Sequence, residues 1–134
     1  MKVKLKRRHI KSLEEEVQRV HPIEACGMLF GKMNPTEALV EKVVTAPNVL
    51  RSEKRFEIHP ETVVKMILES EKEGQEFVGL FHSHSAPAYP SSIDIKFMKL
   101  WGDAIWLILA TFDGKFAAFQ MMDGKVKKAV LEIE

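Results

Sequence analysis

The stretch GLFHSHSAPAYPSSID, residues 79–94, ends an apolar run with two histidines and reaches an aspartate ten residues after the second one. Side chains alternate between the two faces of a strand, so His82 and His84 point to the same side. The prolines of the following segment keep it out of a helix. A helix that begins at Ser91 then places Asp94 in its first turn, from where the carboxylate can fold back over the strand end.

Two imidazoles and one carboxylate are typical ligands of zinc. A catalytic zinc ion takes three ligands from the protein, at about 2.0–2.2 Å for nitrogen and oxygen donors, and keeps a fourth position for water. Asp94 is the only acidic residue between His84 and Trp101. The stretch therefore predicts a metal site of His82, His84 and Asp94. An alternative for its last four residues is a capping box, with Ser91 as the helix cap and Asp94 three residues later.

The remaining histidines lack this pattern. His9 lies in the basic N-terminal strand, His21 ends a helix, and His59 precedes Pro60 in a turn. We expect each of them to be solvent-exposed or to cap a helix rather than to bind a metal.

The rest of the chain alternates short apolar strands with amphipathic helices. A helix is predicted over 10–20, another from Pro60 to about 74 with Val63, Val64, Ile67 and Leu68 on its inner face, and a third from Ser91 to about Trp101. Two Asp-Gly turns predict a C-terminal antiparallel meander. Strands are expected around Val3 and Leu5 and over 25–31, 37–49, 54–60, 76–84, 104–112, 116–122 and 129–134. These elements predict an α/β (α+β) domain over residues 1–134, with one curved mixed β-sheet flanked by about three helices.

Composition excludes several classes of protein. With 134 residues, 46% of them hydrophobic, the chain has enough apolar material for one buried core. Lys and Arg number 20 and Asp and Glu 19, so no basic footprint of a nucleic-acid-binding protein stands out. No apolar run approaches the roughly 18 residues of a membrane span, and we expect a cytoplasmic protein with no membrane partner.

The single cysteine also limits the chemistry. One thiol, Cys26, forms neither an internal disulfide nor a multi-cysteine zinc site. It stands in an apolar stretch between Ala25 and Gly27, so we expect a small buried residue rather than a nucleophile.

A candidate base lies upstream of the metal ligands. Hydrolysis of a peptide bond at a metal site needs a group that accepts a proton from water and passes it to the leaving amine. Glu24 stands immediately before a buried strand, where an unpaired charge is costly unless the site uses it. The alternative is an ordinary surface glutamate at a strand edge.

The segment HPIEACGMLFG, followed about sixty residues later by HSHSAPAYPSSID, resembles the JAMM metalloproteases of the MPN-domain superfamily. The family signature is a glutamate, then His-Ser/Thr-His, then Ser-x-x-Asp. The resemblance runs from about residue 3 to 120, includes APN and RFEIHP, and points to the minimal prokaryotic, archaeal type. It implies an MPN-type domain with cytidine-deaminase-like layering.

The resemblance also implies roles for the residues. One zinc ion with a bound water is held by His82, His84 and Asp94, Glu24 is the general base and acid, and Ser91 stabilises the oxyanion. Six residues separate His84 from Ser91, whereas the family usually has seven. Ser92 is therefore the alternative oxyanion donor.

The implied activity is that of a zinc-dependent isopeptidase or peptidase. Family members cleave after the C-terminal glycines of ubiquitin-like β-grasp proteins, so the expected partner is a ubiquitin-like small modifier or a sulfur-carrier protein. We expect its extended tail to add to an exposed sheet edge, which would also permit a homodimer. The alternatives are release of an amino acid such as cysteine from a sulfur-carrier C-terminus, and a non-catalytic MPN scaffold.

Overall fold

The computed structural model describes residues 1–134 and contains seven strands and three helices. The helices are α1 (Arg7–Val20), α2 (Pro60–Lys72) and α3 (Ser92–Leu100). The strands are β1 (Lys2–Leu5), β2 (Cys26–Met33), β3 (Glu37–Ala46), β4 (Glu76–His84), β5 (Ile105–Ala110), β6 (Phe116–Met122) and β7 (Lys125–Ile133). None of the helices has the length and apolar character needed to cross a bilayer.

All seven strands belong to one mixed sheet in the order β1-β3-β2-β4-β5-β6-β7, which closes because β1 also pairs with β7. The pairs β1–β3, β1–β7 and β4–β5 are parallel and the others are antiparallel. The predicted α+β domain with a curved mixed sheet and three helices is confirmed.

Strand β4 occupies the middle of this sheet and carries the two site histidines at its end. Its last seven residues are all buried, as the continuous apolar run predicts for a strand covered on both faces. A Cβ atom at Gly79 would collide with the carbonyl oxygen of Ile105 on the parallel neighbour β5. Glycine at this position therefore allows the β4–β5 approach that sets Leu80 opposite Trp106 and His82 opposite Ile108.

Two apolar cores lie on opposite faces of the sheet. The first packs against α1 through Leu13 and Val17. The second lies between the sheet and helices α2 and α3, and contains Cys26, Leu80, Met98, Trp106 and Ile108. Because residues 80, 82 and 84 share one face of β4, the two histidines extend the second core toward its rim.

Closure of the sheet overturns one expectation. No strand is unpaired along the whole of either side, so the fully exposed edge strand predicted from the sequence is absent, while the homodimer stays a prediction. The predicted strand over 54–60 is also wrong, because residues 54–59 have no partner in the sheet and Pro60 begins α2.

Two helices differ in detail from the prediction. Helix α1 begins at Arg7 rather than at residue 10, which places His9 in its first turn. On α2, Val63 and Ile67 pack against the second core, but Val64 and Leu68 are more than half exposed. The apolar periodicity of α2 is therefore broader than the face that it buries.

Cys26 is fully buried, as predicted, and its thiol donates to the carbonyl oxygen of Ala46 at 3.4 Å. Burial, with a smaller effect of Glu16 and Glu24, raises the pKa of Cys26 to about 12. The thiol is therefore a structural group and not a nucleophile.

His9 is buried, so the expectation of solvent exposure is wrong for this residue, whereas the expectation of a helix cap holds. Its Nδ1 atom accepts a hydrogen bond from the backbone N–H of Lys6 at 3.2 Å and so caps α1. Burial, with the nearby charges of Arg8 and Lys6, lowers the pKa of His9, against the opposing effect of a hydrogen bond to the backbone of Glu41. Glu41 is the extra residue where the β2–β3 register shifts.

Lowering the pH is expected to destabilise the fold through His9. Because its folded-state pKa lies below the ordinary 6.5, its contribution is complete above pH 6.5 and is lost as the pH falls toward the lowered value. The free energy of unfolding should fall by at most about 1.4 kcal/mol per pH unit in this range. His9→Asn keeps an acceptor for the Lys6 N–H but does not titrate, so its slope from pH 7 to 5 should be smaller.

Chemical denaturation at each pH measures the effect. His21→Asn, at the exposed end of α1, is the matched control and should keep the wild-type slope. Identical pH dependence of wild type and His9→Asn would contradict the role assigned to His9.

Candidate metal centre

The predicted metal ligands meet at the rim of the second core. His82 and His84 end β4, and Asp94 lies in the first turn of α3. The Oδ2 atom of Asp94 lies 3.1 Å from Nε2 of His82 and 3.3 Å from Nε2 of His84. The exposed fractions of the three residues are 0%, 6% and 4% for His82, His84 and Asp94. Three donor atoms therefore converge in a site from which the surrounding protein excludes most solvent.

Backbone carbonyl groups fix the orientation of both imidazole rings. Nδ1 of His82 lies 3.2 Å from the oxygen of Ser83, and Nδ1 of His84 lies 3.4 Å from the oxygen of Pro87. A carbonyl oxygen only accepts, so the ring hydrogen is on Nδ1 in each case. This leaves the Nε2 lone pairs directed toward Asp94, as in histidines that bind a metal through Nε2.

The donor set fits a zinc ion. Tetrahedral ligands at about 2.0–2.2 Å from the metal are roughly 3.3–3.6 Å from one another, close to the separations of Asp94 Oδ2 from the two Nε2 atoms. The Nε2 atom of His82 is buried without any hydrogen-bond partner. A buried nitrogen without a partner is costly, and a cation at this position would satisfy it.

Electrostatics in the site also favour a cation. Burial alone would lower the pKa of His82, but contact with Asp94 and Glu24 raises it to about 9. Burial likewise opposes ionisation of Asp94, yet contact with His82 and His84 holds the pKa of Asp94 well below its usual range. A metal ion would replace the proton of His82 and face the same ionised carboxylate.

Glu24 lies beside the other ring nitrogen of His82, Nδ1. It is 3% exposed, and its Oε1 atom lies 3.2 Å from Nδ1 of His82. Neither carboxylate oxygen has a hydrogen-bond partner. The alternative of a surface glutamate is therefore wrong, because this carboxylate is buried at the site without a structural partner.

A second set of three residues could also hold a metal ion. Glu24, His82 and His84 offer donor atoms that all lie within 4.8 Å of one another. Asp94 contacts Nε2 of both histidines through one oxygen atom, whereas Glu24 approaches the Nδ1 edge of His82, which already faces the carbonyl of Ser83. The contacts thus favour Asp94 over Glu24 as the third member of the donor set.

The serine–aspartate motif forms the capping box that the sequence offered as an alternative. Ser91 Oγ accepts a hydrogen bond from the Asp94 N–H at 3.0 Å, and Asp94 Oδ2 accepts one from the Ser91 N–H at 2.9 Å. The box and the metal site coexist, since the same oxygen of Asp94 faces the histidines. Ser91 is half-buried beside this group, and Ser92 is exposed as the first residue of α3.

An apolar groove of about 520 Å³ adjoins the centre. The Phe56 ring stacks on His82 with centroids 4.9 Å apart, and Trp106 meets His82 edge-on at 6.0 Å. Sequence reasoning did not identify Phe56 or Trp106 as neighbours of the site, although RFEIHP contains the first. The groove is lined by Leu50, Arg55, Phe56, Glu57, Ile58, Pro60, Val63, Val64, Leu80, Phe97, Trp101 and Trp106.

Comparison with known proteins yields a family and several relatives. A family model described as prokaryotic homologs of the JAB domain matches residues 6–123. A desampylase from Pyrococcus furiosus is 40% identical over 114 residues, 84% of this chain and 77% of the relative. A CysO-cysteine peptidase from Mycobacterium tuberculosis is 26% identical over 128 residues, 92% of this chain and 86% of the relative. The solution structure of a Desulfitobacterium hafniense protein matches with a TM-score of 0.88 at 22% identity, covering 100% of this chain and 93% of the other, and shows the same fold.

Proposed function

This chain belongs to the family of prokaryotic homologs of the JAB domain, and from this membership we propose that it is a zinc-dependent isopeptidase or peptidase that cleaves after the C-terminal glycines of a ubiquitin-like modifier or sulfur-carrier protein. The observation that supports it most is the contact of one Asp94 oxygen with Nε2 of both histidines, with the buried carboxylate of Glu24 3.2 Å from Nδ1 of His82. The names desampylase and CysO-cysteine peptidase of two relatives support the class of substrate.

In this proposal His82, His84 and Asp94 hold the zinc ion. When bound, zinc would polarise the scissile carbonyl group and lower the pKa of a neighbouring water molecule. Glu24 accepts the proton of the attacking water at a carboxylate oxygen and delivers it to the leaving nitrogen as the C–N bond breaks. Ser91 Oγ accepts the Asp94 N–H through a lone pair, so its own O–H remains free to donate to the developing oxyanion.

The segment 55–58 offers a place for an extended substrate tail. Arg55 and Glu57 use backbone groups in hydrogen bonds to Asn48 and Val49, whereas Phe56 and Ile58 form no backbone hydrogen bond. In an extended chain the N–H and C=O groups of alternate residues point to opposite sides. The groups of Phe56 and Ile58 are thus free to pair with a tail that ends in Gly-Gly, a peptide with little side chain to recognise.

Product analysis tests the proposal. A modifier joined through its terminal glycine to a lysine of a second protein, and a carrier with one cysteine after its last glycine, are each incubated with zinc-loaded protein. Mass spectrometry should show hydrolysis immediately after the glycine in at least one of them. The ratio of the two rates decides between isopeptidase activity and release of cysteine, and no cleavage of either substrate would refute the proposal.

A charge in the groove is expected to weaken substrate binding. Phe97 lines the groove, and Phe97→Glu should raise KM about tenfold or more, because it places a charge in an apolar groove and because the loss of a hot-spot residue at an interface costs about 2 kcal/mol or more. Zinc content and kcat should stay near wild type, since Phe97 contacts no ligand. Steady-state kinetics measure both constants.

The matched control is Leu100→Glu on the same helix. Leu100 is 80% exposed and lies outside the groove, so this variant should keep the wild-type KM. Equal KM values for the two variants would show that the substrate binds elsewhere.

A further inference from the structure

Asn48 is a buried carboxamide in the connection that follows β3, and every polar position of its side chain is used. Its Nδ2 donates to the carbonyl oxygens of Glu24 at 3.1 Å and Arg55 at 3.0 Å, with a longer contact of 3.4 Å to Ser52. Its Oδ1 accepts from the N–H groups of Leu50 at 3.1 Å and Glu57 at 3.2 Å. Two donors and two lone pairs are the full capacity of this group.

Glu24 depends on these bonds because it precedes β2 and has no place in the sheet. Its N–H donates to the carbonyl oxygen of Ser52 at 2.9 Å, and its own carbonyl accepts from Asn48. The next residue, Ala25, is bonded through both backbone groups to Ser83, the residue between the site histidines. Hydrogen bonds thus hold the backbone of Glu24 to segment 48–57 on one side and, through Ala25, to β4 on the other.

The Asn48 carboxamide also forms hydrogen bonds with the backbone of the proposed tail-binding segment, residues 55–58. It bonds to the backbone of Arg55 and Glu57, while the backbone groups of Phe56 and Ile58 have no hydrogen-bond partner. Phe56 also covers the ring of His82. One side chain therefore connects the backbone of the base to the segment that would bind the substrate.

We propose that Asn48 is a positioning residue that fixes Glu24 relative to the substrate tail. The catalytic consequence of this inference rests on the proposed function, whereas the structural coupling of Glu24 to segment 48–57 does not. A side chain that only stabilised the connection would leave Glu24 in place when removed. A positioning residue would release Glu24 and segment 48–57 together.

Hydrogen exchange tests the coupling without any substrate. In Asn48→Ala, the amides of Glu24, Leu50 and Glu57 should exchange at least about tenfold faster, whereas the Ser83 amide, bonded to Ala25, keeps its protection. Ser52→Ala is the matched control, because it removes a side-chain bond to Lys54 in the same segment but keeps the Ser52 carbonyl. Wild-type protection at Glu24 in Asn48→Ala would overturn the inference.

Kinetics test the consequence. Asn48→Asp keeps an acceptor for Leu50 and Glu57 but cannot donate to Glu24, so kcat should fall about 10- to 100-fold with one zinc ion still bound. The inference would be overturned if the kcat of Asn48→Asp lay within twofold of the kcat of Ser52→Ala, or if Asn48→Asp lost zinc in proportion to its activity. It would also be overturned if Asn48→Asp did not fold in the presence of zinc. If the wild type cleaves no conjugate, the proposed function is wrong. Hydrogen exchange then remains the test of the coupling between Glu24 and segment 48–57.

Discussion

Glu24→Gln is expected to lower kcat by about 100- to 10,000-fold, the range that a positioned general base contributes, while one zinc ion stays bound. Glutamine has nearly the shape of glutamate, but its amide does not accept the proton of the attacking water. Both oxygens of Glu24 are buried and form no hydrogen bond, and the one polar contact of its carboxylate is that of Oε1 with Nδ1 of His82 at 3.2 Å. Cleavage of the modifier conjugate gives kcat, and atomic emission of the same sample gives the zinc content.

Glu16 provides a matched control for this substitution. It is also a buried glutamate, but it lies on α1 and forms a bidentate pair with Arg19 at 2.8 and 3.0 Å. Glu16→Gln should therefore keep kcat within about twofold, since surface-type pairs of this kind affect stability rather than chemistry. Loss of zinc from Glu24→Gln would instead identify Glu24 as a ligand, and full activity would remove it from the mechanism.

Asp94→Ala is expected to lower zinc affinity by more than about 100-fold, because loss of a mere outer-shell partner already costs about 10- to 100-fold. Activity should fall in parallel. One equivalent of zinc added after chelation should restore the wild type but not the variant. Competition with a chromophoric chelator measures the affinity, and the same samples report the activity.

Ser91→Ala separates the metal site from the helix cap. It removes the hydrogen bond from the Asp94 N–H, which costs about 1 kcal/mol of stability, but leaves the Asp94 carboxylate in place. Zinc affinity should then stay near wild type. If Asp94→Ala bound zinc normally while Glu24→Gln did not, the ligands would be Glu24, His82 and His84.

The sequence predicted that His82, His84 and Asp94 would lie together because the geometry there is local. His82 and His84 share a face through the period of a strand, and Asp94 is placed by a helix whose cap, Ser91, lies three residues earlier. The surroundings of Glu24 were not predictable in this way. Its burial depends on Asn48 and Ser52, which come from another part of the chain.

The incorrect predictions from the sequence have the same origin, contacts with residues from other parts of the chain. Residues 54–59 have the alternating pattern of a strand, but their inward bonds go to a side chain and a turn, so no sheet partner exists. On α2, periodicity could not show that Val63, Met66 and Ile67 meet the core while Val64 and Leu68 are exposed. His9 looked like part of a basic strand because its partners, Lys6 and Glu41, become apparent only in three dimensions.

The pairing of the first strand with the last has a consequence for biosynthesis. β1 is translated before the other six strands of the sheet, yet its partner β7 is the last of the seven. Native closure therefore waits until synthesis has passed Ile133, so the domain completes folding only after β7 has emerged. Until then β1 lacks its β7 neighbour, and a nascent chain stalled before β7 should be a substrate for chaperones that bind unpaired strands.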